Sequence, residues 1–162
     1  SAQLIDDVSI SSTKIRKALL SGNVSKAADY LGYNYPLKGR VIKGQQIGRT
    51  IDFATANLEI LDESKLIPKD GVYAVHVEVK GQTFKGMMNI GNNPSLTFKK
   101  HSIEVHIFDF DSDIYNEQIE VRFIKYIREE TSFDNLDALK IQLVRDKATV
   151  KAVFKFDKLD RI

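Results

Sequence analysis

Apolar positions recur at helical spacing near both ends of the chain and alternate with polar ones through its middle, which predicts strands flanked by helices. Residues 9–22 read as a helix with Ser12 or Thr13 as its cap, Ile15, Ala18 and Leu19 on one face, and Gly22 as its stop. Residues 23–32 repeat the plan with Val24, Ala27, Ala28 and Leu31, closing at Gly32. From Tyr35 the texture becomes β. Strands are predicted over residues 37–42, 56–61, 71–79, 82–90, 102–110 and 118–127. Val75, Val77 and Val79 share a face in the third, and Lys80-Gly81 signals a tight turn into the fourth. Six antiparallel strands with short turns imply a closed or nearly closed barrel, which protects its edges. The end is helical, with Leu136, Leu139, Leu143, Val150 and Phe154 as one stripe laid across the barrel and Asp134 or Asn135 as cap.

Composition narrows the function classes. The chain of 162 residues is long enough for one domain with a real core. Its 24 basic and 22 acidic side chains leave a net charge of +2, which disfavours a dedicated nucleic-acid binder. With no cysteine, disulfides and thiolate metal sites are excluded. No apolar run approaches the roughly 20 residues of a membrane span, and no charged-then-apolar leader opens the chain, so a cytoplasmic protein is the expectation.

One stretch breaks the strand pattern with chemistry. Residues 44–57 read GQQIGRTIDFATAN. Gly44 and Gly48 let the backbone turn sharply and approach a ligand, and Arg49 adds a forked permanent charge suited to phosphate. Thr55 and Asn57 fall on one face of an extended chain, and their oxygens are hard donors of the kind Mg²⁺ accepts beside phosphate. A plain hairpin loop with an exposed arginine is the competing reading. It is not a Walker A loop, because Arg49-Thr50 follows Gly48 in place of Lys-Ser/Thr. The second such stretch is Ile103-Glu104-Val105-His106-Ile107, where the apolar residues share one face and Glu104 and His106 the other. On its own this is a solvated strand face. His76 and His101 have no metal-ligand spacing and read as surface or satisfied polar residues.

Together these stretches resemble the riboflavin kinase family, whose signature is a glycine–glycine–arginine loop leading into Pro-Thr-Ala-Asn. Gly44, Gly48 and Arg49 match the loop, and Thr55, Ala56 and Asn57 the end of the signature. Ala54 stands where the family has proline, and Asp52 where glycine is common. Ile103 to Ile107 is similar to the family's Glu-x-His strand, and the run from Asp109 to Tyr115 continues the match. Further matches are Gly86-x-x-Asn89-Ile90-Gly91-x-x-Pro94 and Arg128-Glu129-Glu130 followed by Phe133.

The resemblance implies a six-stranded antiparallel Greek-key β-barrel of riboflavin kinase type, with a C-terminal helix and an N-terminal helical hairpin. It implies transfer of the ATP γ-phosphoryl group to the 5′-hydroxyl of riboflavin, giving FMN and ADP. Glu104 would be the catalytic base, and Gly44, Gly48 and Arg49 would cradle phosphates. Thr55 and Asn57 would hold Mg²⁺ with ATP, Ile114 and Tyr115 would contact the adenine, and Arg128 and Phe133 would line the flavin side. The expected partners are small molecules, with no nucleic acid or membrane and a monomeric state. Ser11 to Arg16 also resembles the Ser-Ser-Thr-x-Ile-Arg motif of FMN adenylyltransferases, which in bacterial FAD synthetases precedes the kinase domain. Residues 1–35 are therefore expected to be the tail of a truncated adenylyltransferase domain, and residues 36–162 the kinase domain. The alternative, left open by Asp52 and Ala54, is a non-catalytic flavin- or nucleotide-binding module.

Overall fold

The computed structural model describes residues 12–43, 53–92 and 101–160, with side chains through residue 156. A helix α1 (residues 12–20) precedes α2 (Val24–Leu31). Six strands follow: β1 (Pro36–Ile42), β2 (Ala56–Ile60), β3 (Gly71–Val79), β4 (Gln82–Asn92), β5 (His101–Ile107) and β6 (Gln118–Arg128). A long helix α3 (Leu136–Asp160) ends the described chain. The strands form a closed antiparallel barrel in the order β1-β2-β5-β4-β3-β6. β2 returns beside β5 after the β3–β4–β5 hairpins, so the topology is a Greek key.

The period-two pattern sets what lies inside. Leu37, Leu58, Val75, Val77, Met88, Val105, Val121 and Phe123 fill the barrel, all but Leu58 with at most a trace of exposure. Ala18, Leu19, Val24 and Ala27 join this same core, so the helical hairpin closes the barrel rather than standing apart from it. Local chemistry supports each turn. Asn23 caps α2 by accepting from Lys26 N at 3.2 Å, and left-handed Gly32 ends it. Lys80 and Gly81 both have positive φ, at 49° and 80°, as a type I′ hairpin demands.

A second core lies on the outer surface under α3. Ala74, Met87, Phe53 and Phe108 meet Val150 and Phe154, with Leu139 and Leu143 packed alongside. Two irregularities in the β3–β6 pairing each leave one extra residue on β6, Ile127 and Ile124, and both pack against this outer cluster. Asn135 supplies the α3 cap through Ala138 N at 2.8 Å. Leu136 departs from the predicted stripe: it opens the helix before the helix reaches the sheet, and stays 48% exposed. The fifth strand is also shorter than predicted. It stops at Ile107 because Phe108 turns into the outer cluster and Asp109 adopts φ 55°.

Gly86 lets β4 and β5 approach each other where the polar residues of both strands lie. A Cβ there would sit 2.6 Å from the His106 carbonyl oxygen, which is backbone and cannot swing aside. Gly86→Ala should therefore cost about 1–3 kcal/mol in urea unfolding with an unchanged slope. A variant as stable as the parent would show that the strand spacing is not set here.

Candidate active site

Because Val105 and Ile103 point into the barrel, Glu104 and His106 point out of it. The register then decides the neighbours. Glu104 pairs with Asn57 on β2 and with Asn89 on β4. Asn89 in turn pairs with Val72 on β3, which pairs with Arg128 on β6. Leu58, Met88, Ile90 and Tyr73 all face the core, so the outer face carries one cross-strand row: Asn57, Glu104, Asn89, Val72, Arg128. Asn57 and Arg128, 71 positions apart in the sequence, thus reach one surface.

Glu104 is half-buried, and among the described residues nothing donates a hydrogen bond or ion pair to its carboxyl. Desolvation by burial raises its pKa above the ordinary 4.5. Beside it, His106 Nδ1 donates to the Ala54 carbonyl at 2.7 Å, which fixes the tautomer and ties the Thr55–Asn57 segment to β5. The imidazole packs against Phe53 and Phe108, with centroids at 5.1 Å and 5.6 Å. Burial first, then Lys147, hold its pKa below 6.5, offset in part by the Ala54 bond, so it is neutral at neutral pH.

The other end of the row is braced rather than open. Arg128 Nε and Nη2 each donate to Asp146 at 2.8 Å, and Nη1 donates to the Glu129 carbonyl at 2.9 Å. Gln142 donates to the same carboxylate at 3.0 Å, so the 2% exposed Asp146 is fully partnered. The guanidinium lies 5.9 Å from the Phe133 ring centroid, which brings the two residues expected on the flavin side together. Glu130 lies over Gly91, where a Cβ would collide with its carboxyl, and accepts from Asn92 N at 3.3 Å.

Ile114 and Tyr115 part company. Ile114 is buried in the barrel core, whereas Tyr115 is exposed with Lys43 5.4 Å from its ring centroid. Asn116 N donates to Val41 O at 2.9 Å, which docks this loop on the end of β1 that faces Asn57. Thr55 and Asn57 are half-buried. Gly44, Gly48, Arg49 and Asp52 lie outside the described residues. His101 pairs with Asp70 at 2.6 Å and His76 stacks on Phe154 at 4.9 Å, so both are satisfied polar residues as expected.

Sequence reasoning did not single out Asp146 or the clamp on Ala54. A charged residue falling within the 143–150 stripe was the available signal for Asp146. The clamp joins residues 52 apart and left no local trace.

Comparison with known proteins agrees with the geometry. The family model described as riboflavin kinase (Flavokinase) matches residues 31–154. Proteins named bifunctional riboflavin kinase/FMN adenylyltransferase are similar to the chain. That of Listeria monocytogenes is 45% identical over 90% of this chain and 46% of its own. Those of Haemophilus influenzae and Escherichia coli are 42% and 40% identical over 93% of this chain, each over 48% of its own length. The chain thus spans about half the length of these curated relatives. Among solved structures, one described as a macrolide-efflux protein from Streptococcus pneumoniae has a TM-score of 0.80 and 42% identity, over 86% of this chain and 46% of that one. The riboflavin kinase of Trypanosoma brucei shares the fold, with a TM-score of 0.53 and 21% identity, over 77% of this chain and 82% of that one. Among the described residues no helix is long and apolar enough to cross a membrane.

The burial of Glu104 has a thermodynamic signature. Its folded pKa lies above the unfolded 4.5, so the penalty on its ionised form is absent below that pH and grows as pH rises through the folded value. Glu104→Gln should therefore raise the Tm at pH 7–8 and leave it unchanged near pH 4. A variant less stable at pH 7 would mean that the carboxylate is held by partners.

Proposed function

The chain belongs to the riboflavin kinase family and is a kinase domain of it, and we propose on that premise how its residues carry the reaction. The observation that supports the assignment most is the half-buried Glu104 carboxyl, without a partner among the described residues and set by register beside Asn57. Riboflavin's 5′-hydroxyl meets Glu104, which takes its proton as the O5′–Pγ bond forms. The bond from Pγ to the β-phosphate bridging oxygen breaks, ADP leaves, and the proton passes from Glu104 to solvent. Gly44, Gly48 and Arg49 are assigned to the phosphates, Tyr115 with Ile114 to the adenine side, and Arg128 with Phe133 to the flavin side.

The donor set fits Mg²⁺ shared with ATP. No group of three or more acidic, His or Cys side chains forms a cage among the described residues, and Mg²⁺ binding through phosphates needs only one or two protein oxygens. Thr55 and Asn57 would hold it, and when bound it supplies charge neutralisation on the phosphate oxygens. The chain's own contribution is positioning: the His106–Ala54 bond fixes Thr55 and Asn57 relative to Glu104. By analogy with the longer relatives, residues 1–35 are assigned to the tail of an adenylyltransferase domain that makes FAD from FMN, a tail docked on the barrel through Ala18, Leu19, Val24 and Ala27.

The test is FMN formation from riboflavin and ATP with Mg²⁺. The wild-type chain should turn over. Glu104→Gln should lose roughly 10²-fold in kcat, with both KM values within a few-fold, and its acidic limb in the rate–pH profile should flatten. Binding of both ligands without turnover would make the chain a non-catalytic flavin and nucleotide module. For the metal, ADP titrated into Asn57→Ala by calorimetry should bind more weakly only when Mg²⁺ is present. An equal loss with and without the ion would remove Asn57 from the metal.

A further inference from the structure

Asn89 is the one member of the polar row without an assigned task. It lies between Met88 and Ile90, both fully buried in the barrel, so its side chain shares the outer face with Glu104, its cross-strand partner. Its Oδ1 is buried and makes no hydrogen bond; Tyr126 Oη, on a different strand, is the other such atom among the described residues. Leaving a buried carbonyl-type acceptor unpaired is costly, and an alanine of smaller volume would remove the cost. A residue kept for packing would not carry that penalty, whereas a ligand bringing a hydroxyl donor would relieve it.

The strand order says which donor. Asn57, on β2, lies on one side of Glu104, and Asn89, on β4, lies on the other. The hydroxyl that meets Glu104 faces the phosphate donor on the Asn57 side, so the rest of the polyol chain runs the opposite way, over Asn89. Beyond it come Val72, itself covered, and then Arg128 with Phe133, a guanidinium plane and an aromatic ring suited to stacking on a flat ring. Neighbouring strands are roughly 4.8 Å apart, a span that adjacent positions of one polyol can bridge.

We infer that Asn89 is a specificity-determining residue for the phosphoryl acceptor: its carboxamide turns to accept a hydrogen bond from a secondary hydroxyl of the ribityl chain while Glu104 addresses the terminal one. The inference rests on the riboflavin kinase reading and adds a named contact to it. A purely structural asparagine and a substrate-binding one differ in two readouts. Asn89→Ala should keep or raise the Tm of the apo chain, and should lower kcat/KM for riboflavin about tenfold through KM, leaving the KM for ATP unchanged.

A mutant–substrate cycle supplies the decisive arm. Riboflavin analogues lacking one secondary side-chain hydroxyl should include one on which wild type and Asn89→Ala perform alike, because the shared contact is already gone. Asn89→Ser, which retains a small acceptor, should recover part of the loss. The inference is overturned if Asn89→Ala is destabilised with riboflavin kcat/KM unchanged, or if its loss adds in full to that of every analogue. A wild-type chain that forms no FMN would sink the kinase reading itself. A wild-type chain that forms FMN beside an unaltered Asn89→Ala sinks this inference alone.

Discussion

Strand register is the constraint on which the site depends. Val105 on β5, Met88 on β4 and Leu58 on β2 are locked into one core, and each lies next to the polar residue of its own strand. A slip of one residue in any of the three would drive a carboxyl or carboxamide into the barrel and expose an aliphatic side chain. Closure adds to this, because with β1 paired to β6 no edge strand is left to slide. The cost of misregister in the core is therefore what aligns the Asn57, Glu104 and Asn89 side chains, which among the described residues make no hydrogen bond to one another. His106 extends the same control to the segment before β2, which has no ladder of its own at Ala54.

Two carboxyls, one buried and one half-buried, show how the fold treats paired and unpaired charge differently. Asp146 accepts from Arg128 twice and from Gln142 once, so its charge is compensated and α3 is tied to the end of β6. Glu104 is half-buried and receives no such compensation from the described residues. A paired carboxylate is a poor proton acceptor, whereas a desolvated, unpaired one has its pKa moved towards the working range of a base. Asn89 is the neutral counterpart, with a buried acceptor that no described residue satisfies. Among the described residues the buried side-chain atoms without a hydrogen bond are Asn89 Oδ1, on the strand beside Glu104, and Tyr126 Oη, beside the α1–α2 turn.

Much of the fold was legible because alternation and helical spacing are local signals. The β3–β4 hairpin reads directly from Lys80-Gly81 and the valines before it, and α2 from Asn23 and Gly32. Strand ends were less legible where tertiary packing intervened: Phe108 leaves β5 for the outer core, and Leu136 starts α3 beyond the sheet. Glu104 and Asn57 were legible as parity within their own strands, and the resemblance gave them tasks. That they are cross-strand partners was not, because pairing joins residues 57 and 104 through a Greek-key connection that leaves no local trace. The bracing of Arg128 by Asp146 was hidden for the same reason, and the burial of Ile114 depends on a loop folding back on Val41.

The central claim is that Glu104 is a partly desolvated carboxyl without a compensating partner among the described residues, held so by the register of three strands. A pH titration of the side-chain carboxyl carbon by ¹³C NMR in the apo chain, assigned by loss of the signal in Glu104→Gln, measures it directly. The account predicts an apparent pKa above the ordinary 4.5. A Glu104 carboxyl that titrates at or below that value would contradict it.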